Sequence, residues 1–267
     1  MSGAVIAHPA MANTRLGVIS ALPEELAHLS DRPGQVQEIG GLAFWPGEIA
    51  GRDAVFVESG AGKVNAGVAA SLLLDRFGCR ALLLCGAAGG LDPALGVGDV
   101  VVGTRNTQHD FGLSREDGFV AIQPGSRPSL GQAWAPGYPV ADRVVERLRT
   151  ALSGLTLDPL PASVGVGVRQ PAILFGPILT GDCFVNAEPQ RRRLQETFGA
   201  LAVEMEGGAV AQVAARWKDG EGDDIPVVNV RCLSDLAGRD SHLDFRAFLP
   251  VAARAASRVA HRLAPAI

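Results

Sequence analysis

Residues 201–208, LAVEMEGG, constrain this chain most. An apolar, strand-like run of Leu201, Ala202 and Val203 leads straight into two carboxylates, and two glycines then open a segment, AVAQVAARW, with helical spacing. A strand that stops where a helix starts marks a carboxyl edge of an α/β sheet, where such sheets bind ligands. Glu204 and Glu206 are two apart, so a strand continuing through them would hold both on one face and Met205 on the other.

The pattern recurs twice. Residues 225–233, IPVVNVRCL, form a β-branched run long enough for a buried strand, and Ser234 and Asp235 follow it. Residues 16–22, LGVISAL, are followed by Pro23, Glu24, Glu25 and Leu26, with Pro23 suited to the first turn of a helix. Three strands therefore each deliver an acid at the same kind of junction.

Residues 36–58 alternate apolar and polar positions around Gly-Gly and Gly-Arg-Asp turns and read as antiparallel strands. Ser59-Gly60-Ala61-Gly62-Lys63 has the look of a phosphate loop, but Val64 stands where that motif needs Ser or Thr, and Val57 where it needs its first glycine. Residues 64–77 read as a helix with Ala66, Ala69, Ala70, Leu73 and Leu74 on one side. A buried strand over 80–86 empties into Ala87-Ala88-Gly89-Gly90, whose small side chains would let a ligand reach the backbone or would simply form a tight turn.

After a strand at 99–103 come Gln108, His109 and Asp110. No nucleophile motif or paired-ligand spacing stands near His109, so a structural or rim role is expected for it, and no metal is expected. Residues 112–139, rich in Gly, Pro and Ser and carrying Trp134 and Tyr138, are a long loop or a lid. A helix is expected over 140–155, strands over 162–168 and 172–179, and a final helix over 244–263 with Asp244 as its cap, Phe245, Phe248, Leu249, Ala252, Ala256 and Val259 as its buried stripe, and Pro250 as a kink or a later start. Phe184, one of ten phenylalanines, leaves the strand ending near Thr180 and could offer its face to a planar ligand or pack in the core. The succession predicts an α/β fold with a mixed, mostly parallel central sheet flanked by helices.

With 267 residues, 47% of them hydrophobic, the chain can form one large core; residues 15–267 read as a single domain behind a poorly ordered tail over 1–14. A net charge of −4 argues against a nucleic-acid partner, which calls for a basic face. Cys79, Cys85, Cys183 and Cys232 show no CxxC spacing, no run is long enough to span a bilayer, and the first residues lack a signal-peptide pattern, so a small-molecule ligand and the cytoplasm are expected.

Four segments together resemble the purine nucleoside phosphorylase superfamily, specifically its 5'-methylthioadenosine/S-adenosylhomocysteine nucleosidases: GVISALPEEL; ESGAGKVNAG with CGAAGGLDPALGVGDVVV; TGDCFVN; and AVEMEGGAVAQV with VRCLSDLAG. The resemblance implies hydrolysis of an adenine nucleoside to free adenine, with no cofactor, in a homodimer. It assigns Asp235 as the acid that protonates N7 of the departing purine and Glu25 as the group that activates water. Glu206 would hold the ribose hydroxyls, Met205 would pack on the sugar, Phe184 would stack on the base and the Val185 backbone would read its edge. Ala88, Gly89, Glu204, Arg231 and Ser234 complete the expected binding set. These roles suit the chemistry, since cleavage through a cation-like sugar needs a proton on the base, negative groups near the sugar and a positioned nucleophile.

Related phosphorylases carry arginines in the first strand-exit loop and ahead of the CGA turn, where this chain reads ISALPEEL and ALLLCGAA, so water is expected as the nucleophile rather than phosphate. Relatives that keep the pocket and lose turnover act as binding proteins; retention of Glu25, Glu206 and Asp235 argues against that here. Ala87 stands where relatives often have serine, and residues 112–171 depart from the family pattern. Selectivity for the 5' substituent is therefore expected to follow 112–171, with thioether nucleosides favoured and AMP as the competitor.

Overall fold

The computed structural model describes residues 14–31, 34–116, 118–127, 135–160, 169–217, 224–238 and 241–267. Its sheet turns on β5 (Ala81–Gly90), whose first half is apolar and whose second half is GAAGG. Along the first half, β5 runs parallel to β1 (Leu16–Ser20) on one side and to β12 (Val227–Asp235) on the other. The second half leaves β1 and pairs antiparallel with β11 (Ala202–Glu204), Gly89 opposite Val203 and Gly90 opposite Ala202. Small residues permit this: a Cβ on Gly90 would meet Leu233 at 3.0 Å and Leu236 at 3.1 Å. The tract is thus strand and not the tight turn that was one of its two readings.

β11 also runs parallel to β10 (Ile173–Thr180), β10 to β6 (Val100–Gln108), and β6 runs antiparallel to β12. The strands β5, β12, β6, β10 and β11 therefore close a ring. From β1 the sheet continues outward through β4 (Arg52–Glu58), β3 (Leu42–Ile49) and β2 (Gln37–Ile39), the last three antiparallel as expected for residues 36–58. Within the ring the long β5–β12 and β6–β10 ladders are parallel and the short β5–β11 and β6–β12 ladders antiparallel, which gives the mixed sheet expected.

Alternation along β5 divides the core. Leu82 and Leu84 pack with Ala66, Ala69, Ala70 and Leu73 of α2 (Lys63–Asp75) and with Val210, Ala211 and Ala214 of α5 (Gly207–Ala214). Leu83 and Cys85 face the opposite layer, where Phe248, Ala252, Ala256 and Val259 of α6 (Ser241–Leu263) lie beside Val144 and Leu148 of α3 (Asp142–Leu152). Each fully buried Leu is worth roughly 1.5–3 kcal/mol in transfer free energy, so the two apolar stripes read from the sequence are what fix these helices on the sheet. The short helix α1 (Pro23–Leu26) packs on α6.

Several expectations need correction. Residues 112–139 contain a hairpin of β7 (Gly112–Arg115) and β8 (Gly118–Ala121), and β9 (Tyr138–Pro139) pairs with β6. A helix not foreseen, α4 (Glu188–Phe198), lies between β10 and β11. α6 begins at Ser241, so Asp244 is not its cap, and Pro250 lies inside it. Trp134, the strand expected over 162–168, and residues 1–13 of the tail lie outside the described residues. Among the described residues no helix is long and apolar enough to cross a membrane.

Candidate active site

The carboxyl ends of β1, β5, β11 and β12 meet around a cavity of about 340 Å³. Glu25, Ala88, Gly89, Phe184, Val185, Glu204, Met205, Glu206, Arg231 and Asp235 all line it, so one cavity unites every residue proposed for catalysis or binding except Ser234. The four acids are 5% exposed or less and form the closed end.

Glu25 is fixed by backbone donors. Its Oε2 accepts the amides of Ala21 (3.0 Å) and Leu22 (3.1 Å), and its Oε1 that of Ala87 (2.8 Å). The approach to β5 depends on Gly86, where a Cβ would lie 2.6 Å from Oε1 of Glu25 and 2.9 Å from Nη1 of Arg231. Burial pushes the Glu25 carboxyl above its ordinary pKa, against the pull of Arg231 and the three amides.

Asp235 is the last residue of β12, not a loop residue beyond it. Its Oδ1 accepts the amide of Ala237 (2.8 Å) and its Oδ2 the hydroxyl of Ser234 (3.0 Å). Ser234 lies behind the cavity wall, fully buried, and its hydroxyl is also 3.4 Å from the Ala88 carbonyl. The role expected for it as a substrate contact is corrected: it holds Asp235.

Glu204 needs a similar correction. The strand stops at Glu204, the chain turns, and Glu206 precedes α5, so the acids do not share one strand face. Glu204 accepts hydrogen bonds from the Thr180 hydroxyl and from the amides of Glu206 (3.0 Å) and Gly207 (2.8 Å), and it pairs with Nη2 of Arg231 at 2.6 Å. Its lone pairs are committed to protein, although it borders the cavity. Glu206 is placed to act outward: one oxygen accepts the Gly62 amide (2.9 Å) and the other lies 3.3 Å from Arg231. Burial raises its pKa to about 7, Arg231 opposing and Glu204 reinforcing the shift.

Arg231 is the counter-ion of this group. Nε donates to Asn229 Oδ1 (2.8 Å), Nη1 lies 3.3 Å from the Ala87 carbonyl, and Nη2 serves Glu204 and Glu206. Burial works against its charge, but Glu204, Glu206 and Glu25 outweigh burial and hold its pKa above the ordinary value. Its donors face acids and backbone, so it braces the site from within.

Phe184 is 43% exposed at the mouth, with Phe245 of α6 edge-on to it at 5.9 Å between ring centroids. Its face is available to a flat ligand, the first of the two alternatives. The Lys63 ammonium is committed to Asp110 at 2.6 Å and its amide donates to Asp182 at 2.8 Å, which ties the start of α2 to the loop carrying Phe184. His109 is buried against Gly181 outside the cavity, and burial lowers its pKa.

The chain matches the phosphorylase superfamily over residues 15–265. It is 44% identical over 254 residues to the 5'-methylthioadenosine/S-adenosylhomocysteine nucleosidase of Mycobacterium tuberculosis, covering 94% of this chain and 97% of that one. The chain belongs to this nucleosidase family of the phosphorylase superfamily. A family member from S. pneumoniae, solved with a transition-state inhibitor, superposes with a TM-score of 0.74 at 30% identity over 94% of this chain and 99% of that one. Futalosine hydrolase of Helicobacter pylori shares the fold, with a TM-score of 0.77 at 24% identity over 94% and 97%.

Against the nucleosidase pattern, Ala87 contributes its amide to Glu25, a contact a serine there would make equally through its backbone. Sequence reasoning missed Phe245 and Arg246, which line the cavity from α6. The signal was present: residues 245–246 follow Asp235 closely, but Phe245 was absorbed into the apolar stripe of the helix. No described residue of 112–171 lines the cavity, and residues 117, 128–134 and 161–168 of that segment lie outside the described residues.

Proposed function

We propose that this nucleosidase hydrolyses the N-glycosidic bond of an adenine nucleoside of the methylthioadenosine/S-adenosylhomocysteine class and releases adenine. The observation that carries the reading is the convergence of Glu25, Glu206 and Asp235 from three strand ends on one cavity whose inner cation, Arg231, is already paired. The base lies against Phe184 and the Val185 backbone, with N7 toward Asp235. Asp235 gives N7 a proton as the bond between C1' and N9 breaks and its electron pair passes into the purine. Glu206 accepts a ribose hydroxyl, and the acids around the sugar stabilise its positive charge. Glu25 takes a proton from the water whose oxygen adds to C1', which leaves adenine and a free 5'-substituted ribose.

Glu25 beside the attack site also disfavours phosphate, an anion that needs cationic partners. Dialysed protein should release adenine from methylthioadenosine at the same rate with and without phosphate. A requirement for phosphate, with a sugar 1-phosphate as product, would make the enzyme a phosphorylase and overturn the hydrolytic reading. We further infer a homodimer acting in the cytoplasm in methionine salvage. Val64 and Val68 of α2, 77% and 44% exposed, support an apolar contact between copies; sedimentation at 27.7 kDa and micromolar concentration would reject it.

A further inference from the structure

With the base, ribose and water assigned, the cavity-lining residues left over include Leu22, Cys183, Val203, Phe245 and Arg246 beside small alanines. Leu22 and Phe245 pack into one apolar cluster, because α1 lies on α6, and Arg246 follows Phe245 at the exposed rim. The acids occupy the closed end, so a nucleoside seated there sends its 5' substituent outward. That path first meets Leu22 and Phe245, which suit a thioether sulfur, and then a guanidinium. Arg231 cannot serve it, being 3% exposed and bound to Glu204 and Glu206. Arg246 forms no ion pair or hydrogen bond with any described residue.

Resting on the nucleosidase reading above, we propose that Arg246 is a specificity-determining residue that favours nucleosides whose 5' substituent ends in an anion, a carboxylate or a phosphate, over the same nucleoside with a neutral substituent. The cavity is thereby graded, acidic at the sugar, apolar at the sulfur and cationic at the mouth. A guanidinium in this position takes a carboxylate or phosphate through paired N–H donors.

The test measures kcat/KM for methylthioadenosine, S-adenosylhomocysteine and AMP with wild type, Arg246→Gln and Arg246→Glu, after melting curves establish that the variants fold. The readout is the ratio of each anionic substrate to methylthioadenosine. That ratio should fall roughly 3- to 30-fold in Arg246→Gln, between the scale of an exposed ion pair and that of a charged hydrogen bond, and further in Arg246→Glu. Added salt should lower the wild-type ratio. Loss confined to S-adenosylhomocysteine identifies a carboxylate as the anion, and loss confined to AMP a phosphate. Ratios unchanged in both variants, or a wild type that turns over neither anionic substrate, overturn the proposal. A wild type that releases adenine from none of the three overturns the nucleosidase reading instead.

Discussion

Replacing Glu204 by Gln isolates the clamp beneath the site. The native carboxylate accepts from the Thr180 hydroxyl and from the amides of Glu206 and Gly207 while pairing with Arg231 at 2.6 Å, with both charged side chains 3% exposed or less. Glutamine supplies one oxygen for these donors and turns an NH2 group toward either the amides or the guanidinium, so donors face donors. Removing one partner of a buried pair costs about 3–5 kcal/mol. Because Glu206 still faces Arg231 at 3.3 Å, the low end applies, about 3 kcal/mol, or roughly 6–12 °C in Tm for a domain of this size. The repulsion Glu204 exerts on Glu206 also disappears, so the pKa of Glu206 should fall from about 7 and the acid limb of kcat/KM move to lower pH. Urea and thermal unfolding at pH 8, with kcat/KM profiles from pH 5 to 8, read both effects. A loss of stability under about 1 kcal/mol together with an unmoved acid limb would refute the assignment of Glu204 as a clamp.

Asp235→Asn keeps an oxygen for the Ala237 amide and an NH2 group for Ser234, so melting should stay near wild type while turnover falls roughly 10²- to 10⁴-fold; single-turnover adenine release at a near-native rate would exclude Asp235 as the acid. Glu206 has a folded-state pKa raised to about 7 from 4.5, so the stability it contributes is present below about pH 4.5 and lost as pH rises through 7. Glu206→Gln should flatten that decline, with Glu25, also raised, leaving a residual slope; urea titrations between pH 5 and 8 showing equal slopes would contradict it. Gly86→Ala places a methyl 2.6 Å from Glu25 Oε1 and should lower kcat far more than KM, measured by steady-state adenine release, because Glu25 is displaced from the water site; an unchanged kcat would show that Glu25 is not the water-activating group.

The strand ends and their acids were legible because apolar runs terminating in Glu25, Glu206 and Asp235 are local patterns. The division of labour between Glu204 and Glu206 was not, since two-residue spacing carries that meaning only if the strand continues, and it stops at Glu204. α4 was hidden because Leu194 is its one buried residue, although Pro189 near its start and Gly199, at φ 58° past its end, are helix-boundary signals. The glycine tract at 86–90 reads as punctuation, and only the pairing of Gly89 with Val203 makes it strand. Ring closure and the placement of Arg246 depend on which distant segments meet, and periodicity does not encode that.

That closure also bears on the topological cost of assembly. β11 is three residues long, yet it joins strands from the two halves of the chain and carries Glu204 at its end. Its ladder with β10 spans the short connection through α4 and its ladder with β5 more than a hundred residues, so closing the ring is the step with the larger loop-closure entropy. The like-charged acids Glu204 and Glu206 are thereby brought together beside Arg231, which β12 carries next to β5. The shortest strand of the ring thus carries both the closure of the sheet and the charge that the site must hold.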